Sequence, residues 1–190
     1  MKKILLLLII SALFIPGSVL AADADLNVSR VPFKVVINEQ KIGGDDEYPL
    51  LFYKGIVYLP TTFNMNSFVG LRVEFYPDYK IADKKIGSIF VGLDKITANN
   101  YVPYPSNEKI AKAAIQDNVI VVNQCDKRYD IKNSEREYPV INYKNVLYLP
   151  LTCDIAEKEL DWNLTFSPET GLEVDTKSPN KPIWDSNYSS

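Results

Sequence analysis

Three groups of residues in this chain have types and spacing suited to chemistry: an acidic loop, two cysteines and two rows of tyrosine. Gly43 to Glu47 reads GGDDE, three carboxylates beside two glycines, and a calcium ion would use hard oxygens at that density. The stretch lacks the alternating ligand spacing of an EF-hand, so the expectation is a polar loop between strands. Cys125 and Cys153 are the two thiols. In an exported chain they could pair, closing a loop of about 29 residues and contributing ~3 kcal/mol. Against pairing, Cys153 aligns with Phe63 in an internal repeat, a position expected in the core, where a free Cys behaves as a small hydrophobe. The pairing stays open, leaning towards free thiols. Tyr48, Tyr53 and Tyr58, and again Tyr138, Tyr143 and Tyr148, place a tyrosine at every fifth residue. Tyr53, Tyr58, Tyr143 and Tyr148 are the candidate binding aromatics, since an exposed row could stack on sugar rings or grip a peptide. Cross-strand packing is the stronger expectation, because an amphipathic phenol suits a half-buried strand.

What the chain lacks narrows the chemistry further. It contains no histidine, which removes the commonest general base, the commonest metal ligand and every His-dependent triad. There is no Cys-x-x-Cys, no G-x-S-x-G, no S-x-x-K and no phosphate-cradling glycine loop. Paired carboxylates could still converge for glycosidic chemistry, but no pair is singled out. The reading is a protein that is not an enzyme, with no catalytic residue, no metal and no cofactor.

The elements that carry these residues come from a duplication. Tyr48 to Pro60 reads YPLLFYKGIVYLP and Tyr138 to Pro150 reads YPVINYKNVLYLP. Upstream, Val35 to Asn38 (VVIN) matches Ile120 to Asn123 (IVVN); downstream, Leu71 to Pro77 (LRVEFYP) matches Trp162 to Pro168 (WNLTFSP). Such self-similarity means one supersecondary unit used twice. Phe33, Val35 and Ile37 alternate with polar neighbours, as in a strand with one buried face. Lys54-Gly55 becomes Lys144-Asn145, and Gly and Asn are the residues that best accept the positive φ of a tight hairpin. Pro60 and Pro150 end the next strand, and Thr62 and Thr152 sit where a helix N-cap belongs. Met65, Phe68 and Val69 then have helical spacing with Gly70 as C′, while Cys153, Ala156 and Leu160 share a helical face. Val73 and Phe75, matched by Leu164 and Phe166, restore period two. Turns at Pro77-Asp78 and at Pro168 to Gly171 precede a last strand.

The fold class expected is α+β: two tandem repeats, each a small antiparallel sheet with a hairpin and one short helix packed on it. The first copy spans 31–96, a linker 97–116, and the second copy 117–176. Asn99 to Asn107 (NNYVPYPSN) is rich in Asn and Pro without apolar periodicity, and Glu108 to Ile115 could add a helical turn or two. Residues 177–190 read as a flexible tail, in which Trp184 is an anomaly.

Met1 to Ala21 has the form of a signal peptide: Lys2 and Lys3, an apolar run from Ile4 to Ile15 broken by Ser11, Pro16-Gly17, and small residues before the cut. The run is too short, and too soon followed by Asp23 and Asp25, for a membrane span. Its removal takes two lysines and no acids from a chain of net charge −3, leaving −5. A mildly acidic chain argues against nucleic acid or anionic lipid as partner. Units of about 70 residues are near the lower limit for an independent core, so the 12 Tyr, 8 Phe and 2 Trp must supply much of the buried area.

The doubled phrase, with its leading V-x-I-N and trailing aromatic-x-P turn, resembles the copper amine oxidase N-terminal-like domain, or stalk domain, over residues 31–96 and 117–176. The resemblance implies an exported protein of Gram-positive type, secreted or associated with the cell wall. Copper and the tyrosine-derived quinone belong to a separate catalytic domain of amine oxidases, so no catalytic residue carries over. The function implied is a non-catalytic cell-envelope binding or spacer module, with cell-wall glycan or a surface protein as partner and no membrane contact after signal cleavage. The alternative is a secreted regulator, an inhibitor or chaperone of an extracellular protein, that captures a peptide along a strand edge.

Overall fold

Two hairpins organise the molecule, and both turn where the sequence places Gly or Asn after Lys. Lys54 and Gly55 have φ of 50° and 83°, and Lys144 and Asn145 have φ of 51° and 63°. Positive φ at both central residues gives a two-residue turn whose twist matches the flanking strands. The computed structural model describes residues 25–77, 80–81, 84–85, 87–117, 119–123 and 132–177, with backbone alone at 80–81, 84–85, 119–120 and 122–123. The signal segment, Cys125 and the tail beyond Lys177, with Trp184, lie outside the described residues.

In chain order the strands are β1 (Ser29–Arg30), β2 (Val35–Ile37), β3 (Gln40–Ile42), β4 (Leu51–Tyr53) and β5 (Ile56–Pro60). Helix α1 (Phe63–Val69) leads into β6 (Leu71–Tyr76), followed by β7 (Lys80–Ile81), β8 (Lys84–Lys85) and β9 (Gly87–Leu93). Beyond the linker come β10 (Ala114–Ile115), β11 (Val119–Asn123), β12 (Ile141–Tyr143), β13 (Val146–Pro150), β14 (Asn163–Ser167) and β15 (Gly171–Asp175). A π-helix occupies Asp154–Glu159, and a 3₁₀ turn Asn133–Glu135.

The strands form a six-stranded sheet in the order β1-β4-β5-β13-β12-β10, a four-stranded sheet β14-β15-β2-β3, a three-stranded sheet β11-β9-β6 and the small β7-β8 ladder. The fold is α+β with strands dominant. The sheets are not all antiparallel, as the sequence suggested. β15 runs parallel to β2, and β11 runs parallel to β9. Nor do they divide between 31–96 and 117–176, because every sheet of three or more strands takes strands from both stretches. The edges of the six-stranded sheet meet as well: Leu26, ahead of β1, bridges to Ala113, ahead of β10.

Period two along the hairpins sorts their side chains into two cores. Leu51, Tyr58, Ile141, Tyr143 and Tyr148 face one side, with Leu26 and Ala113. Val57, Leu59 and Leu149 face the other, against Met65, Phe68, Val69, Ile89, Val91 and Trp162. Fully burying an aliphatic or aromatic side chain stabilises by about 1.5–3 kcal/mol, so these alternating positions set the register. Thr62 caps α1, its hydroxyl accepting from Met65 N, and Gly70 closes it in the left-handed region at φ 69°. A Cβ at Gly70 would lie 2.8 Å from the Asp94 carbonyl oxygen.

Several local expectations are corrected. Residues 108–112 form no helical turn, and Ala114–Ile115 is strand β10. The linker is tied down along its length. Tyr101 is buried in the larger core, and Gln40 exchanges two hydrogen bonds with its backbone, at 2.9 and 2.8 Å. Phe63 is 80% exposed and Cys153 is also exposed, so the aligned pair is not a core position. Phe63 opens α1, and Cys153 immediately precedes the π-helix. Phe75 and Phe166 are likewise exposed, because β6 and β14 are edge strands.

Candidate functional site

The four candidate tyrosines do not form an exposed row. Tyr58 and Tyr148 are fully buried, Tyr143 is buried and Tyr53 is half-buried. Their strands place them on the inner face of the hairpins, where Tyr53 packs edge-on to Tyr58 with centroids 6.1 Å apart and Tyr143 packs on Tyr148 at 5.7 Å. Burial pushes the phenols of Tyr58 and Tyr148 well above their ordinary range, since the low-dielectric interior disfavours phenolate. The sequence offered the tyrosine spacing but not the side of the sheet that would be covered. That depends on β1 and β10, two-residue strands with no pattern of their own.

The acidic loop separates into three unlike residues. Asp45 is exposed, Glu47 is half-buried and Asp46 is buried. One oxygen of Asp46 accepts from the backbone N–H groups of Tyr48 at 3.0 Å and Tyr104 at 3.2 Å, and the other accepts from the Tyr101 hydroxyl. Burial, then the Asp46 carboxylate, holds the Tyr101 phenol far above its usual range. With both oxygens engaged this way, Asp46 clasps the linker to the first hairpin. Among the described residues no group of three or more His, Cys, Asp or Glu side chains is placed to hold a metal ion. Cys153 carries a free thiol; its candidate partner Cys125 lies outside the described residues.

A groove of about 600 Å³ lies elsewhere, on the solvent face of β14-β15-β2-β3. Strand register builds it. Thr165 stands opposite Glu173, Glu173 opposite Val36, and Val36 opposite Lys41, one row across four strands. Lys34 lies at one end of the groove, and Asp175 and Lys177 at the other. Lys177 pairs with Glu39 at 3.4 Å, while Lys34, Lys41 and Glu173 are exposed. Gly171 makes the close β15–β2 approach possible: a Cβ there would come within 2.0 Å of the Lys34 carbonyl oxygen. At φ 83° glycine is also the residue that adopts the conformation without strain. The groove thus offers ammonium and carboxylate groups around a small apolar centre, Val36. Sequence reasoning missed it because β15 and β2 pair across 137 positions of chain, Leu172 opposite Val35.

No described helix is long and apolar enough to cross a membrane. Comparison with known proteins returns no match among protein-family models, curated proteins or solved structures.

Proposed function

We propose that the protein is a non-catalytic, exported module that binds or spaces components of the cell envelope, built from two copies of a stalk-like unit and holding its ligand on the groove of the four-stranded sheet. The observation that carries this reading is the character of that face. It is open and two-signed, with Lys34 and Lys41 lining the same groove as Glu173 and Asp175. Such a surface recognises by charge complementarity without a reactive centre. Three buried polar residues support the same reading: Asp46, Asn38 and Asn133 each hydrogen-bond backbone and so serve the fold.

A second reading, a secreted regulator that captures a peptide along a strand edge, has its own support. The edge strand β14 reads NLTFS, with Phe166 59% exposed. It lacks the internal Lys or Pro that usually guards an edge.

The test is retention on purified cell wall beside capture from culture medium. Wild-type protein should stay on the wall fraction, and Lys34→Glu with Lys41→Glu should lower retention at least tenfold with an unchanged melting temperature. Unaltered retention in the double variant would sink the groove assignment. Capture of one medium protein, abolished by Phe166→Pro and indifferent to the lysines, would establish the second reading instead.

A further inference from the structure

We infer that the two copies are a strand-exchanged pair fused into one chain, so that each copy is the obligate partner surface of the other and the linker is not what holds them together. This rests on reading the repeat as structural as well as sequential, and it goes beyond any ligand the groove takes.

Symmetry carries the argument. β5 and β13 run antiparallel with Leu59 opposite Leu149, and with Tyr58 opposite Pro150 and Pro60 opposite Tyr148. Leu59 and Leu149 hold the same place in the repeated phrase, so a two-fold axis passes between them. The flanking bonds obey it: Thr61 N–H donates to the Leu147 carbonyl at 2.9 Å, and Leu151 N–H donates to the Val57 carbonyl at 2.8 Å. The six-stranded order β1-β4-β5-β13-β12-β10 reads the same from either end once β1 is equated with β10, β4 with β12 and β5 with β13.

The exchange is reciprocal. The last strand of the second copy, β15, pairs with β2 of the first, and the last strand of the first copy, β9, pairs with β11 of the second. Asn38 fastens one of these joints, donating to the Thr176 hydroxyl and accepting from Thr176 N–H, both at 2.9 Å. A unit taken alone would leave β2 and β5 unpaired on these sides and half of each core exposed. The partner that fits those edges is a second copy of the same unit, presented in two-fold, isologous fashion.

The experiment keeps the full chain. A site-specific protease sequence is inserted between the exposed residues Asn107 and Glu108, the protein is folded and then cut. The fragments should co-elute at the mass of the uncut protein. The urea midpoint of the cut form should fall on hundredfold dilution while that of the uncut form stays fixed. Unfolding of both fragments on cutting alone would overturn the inference, because the linker would then be what holds the copies together. Two fragments that separate and each keep a cooperative melt would overturn the inference, as would a cut-form midpoint indifferent to dilution. Gly171→Ala provides the second arm. Its Cβ would lie 2.0 Å from the Lys34 carbonyl oxygen, so at fixed concentration the cut variant should release its fragments at least tenfold more readily than cut wild type. Equal release would remove the β15–β2 joint from the proposal.

Discussion

The two helical segments start alike and end alike, yet they are wound differently. Thr62 and Thr152 each accept a hydrogen bond at 3.3 Å from the backbone N–H three residues on, Met65 in one case and Ile155 in the other. Both segments deliver a buried residue to the core at their far side, Leu71 at 3% exposure and Trp162 at 2%. Between those fixed ends the second copy holds one residue more, since LRVEFYP and WNLTFSP are offset by 91 while the hairpin phrases are offset by 90. The first segment is an α-helix closed by Gly70. The second is a π-helix, with Leu160 N–H donating to the Ile155 carbonyl five residues back at 2.9 Å, and it exits through Asp161 at φ 54°. A π turn takes up an inserted residue without moving what flanks it. The lesson is that packing at the two ends is conserved and the hydrogen-bond pattern between them yields.

The sharpest way to break this comparison is to delete a residue from each segment. Removing the exposed Glu157 should return the second segment to α-helical winding and change stability by less than ~1 kcal/mol. Removing Asn64 shortens a helix that has no residue to spare. Either the Thr62 cap is lost, or Met65, Phe68 and Val69 rotate by about 100° off the core, so a loss of more than ~4 kcal/mol is expected. Urea unfolding of the two deletions decides it. Equal losses would mean that the π-helix is not the accommodation of an insertion.

A smaller effect separates the polar anchors beneath the two hairpins. Before the first stands Asp46, a buried acceptor surrounded by N–H and O–H donors. Before the second stands Asn133, whose amide accepts from Val140 N–H at 2.8 Å and donates to the carbonyls of Val140 and Gln116 at 2.7 and 2.8 Å. Asn133→Asp would face a carboxylate with two carbonyl oxygens and should cost ~3 kcal/mol or more, the larger loss of the two. Asp46→Asn loses acceptor strength while keeping shape, and should cost ~1–3 kcal/mol. The measurement is thermal unfolding at neutral pH; the reverse order would show that the anchors are interchangeable.

The parts of this molecule legible in its sequence are those fixed by short-range chemistry. Lys54-Gly55 and Lys144-Asn145 announced their turns, and Thr62 and Gly70 announced the ends of α1. What escaped was long-range. Nothing in VVIN says that its neighbour is GLEVD far downstream, and a two-residue strand such as Ala114–Ile115 has no period to detect. For the same reason the tyrosine spacing was visible while the direction of its burial was not. Asn38-Glu39, with φ of 50° and 70° between β2 and β3, is a third tight turn of the same kind. Its signal is weaker because Glu holds the second position, where the other two turns carry Gly or Asn.

The finest test of the likeness between copies lies in the turn residues themselves. At Gly55, φ is 83° and an added Cβ would meet nothing within 4 Å, so any cost there is backbone strain and not a clash. Gly55→Val should therefore destabilise by ~1–2 kcal/mol, because a β-branched residue tolerates the left-handed region poorly. Gly55→Asn copies the second hairpin into the first and should fall within ~0.5 kcal/mol of wild type, as should Asn145→Gly in the other direction. Urea unfolding of the three variants gives the answer, with the slope of the transition reporting whether register is kept. If Gly55→Asn cost as much as Gly55→Val, the two turns would differ in geometry despite their matching φ signs, and the equivalence of the hairpins would end at their strands.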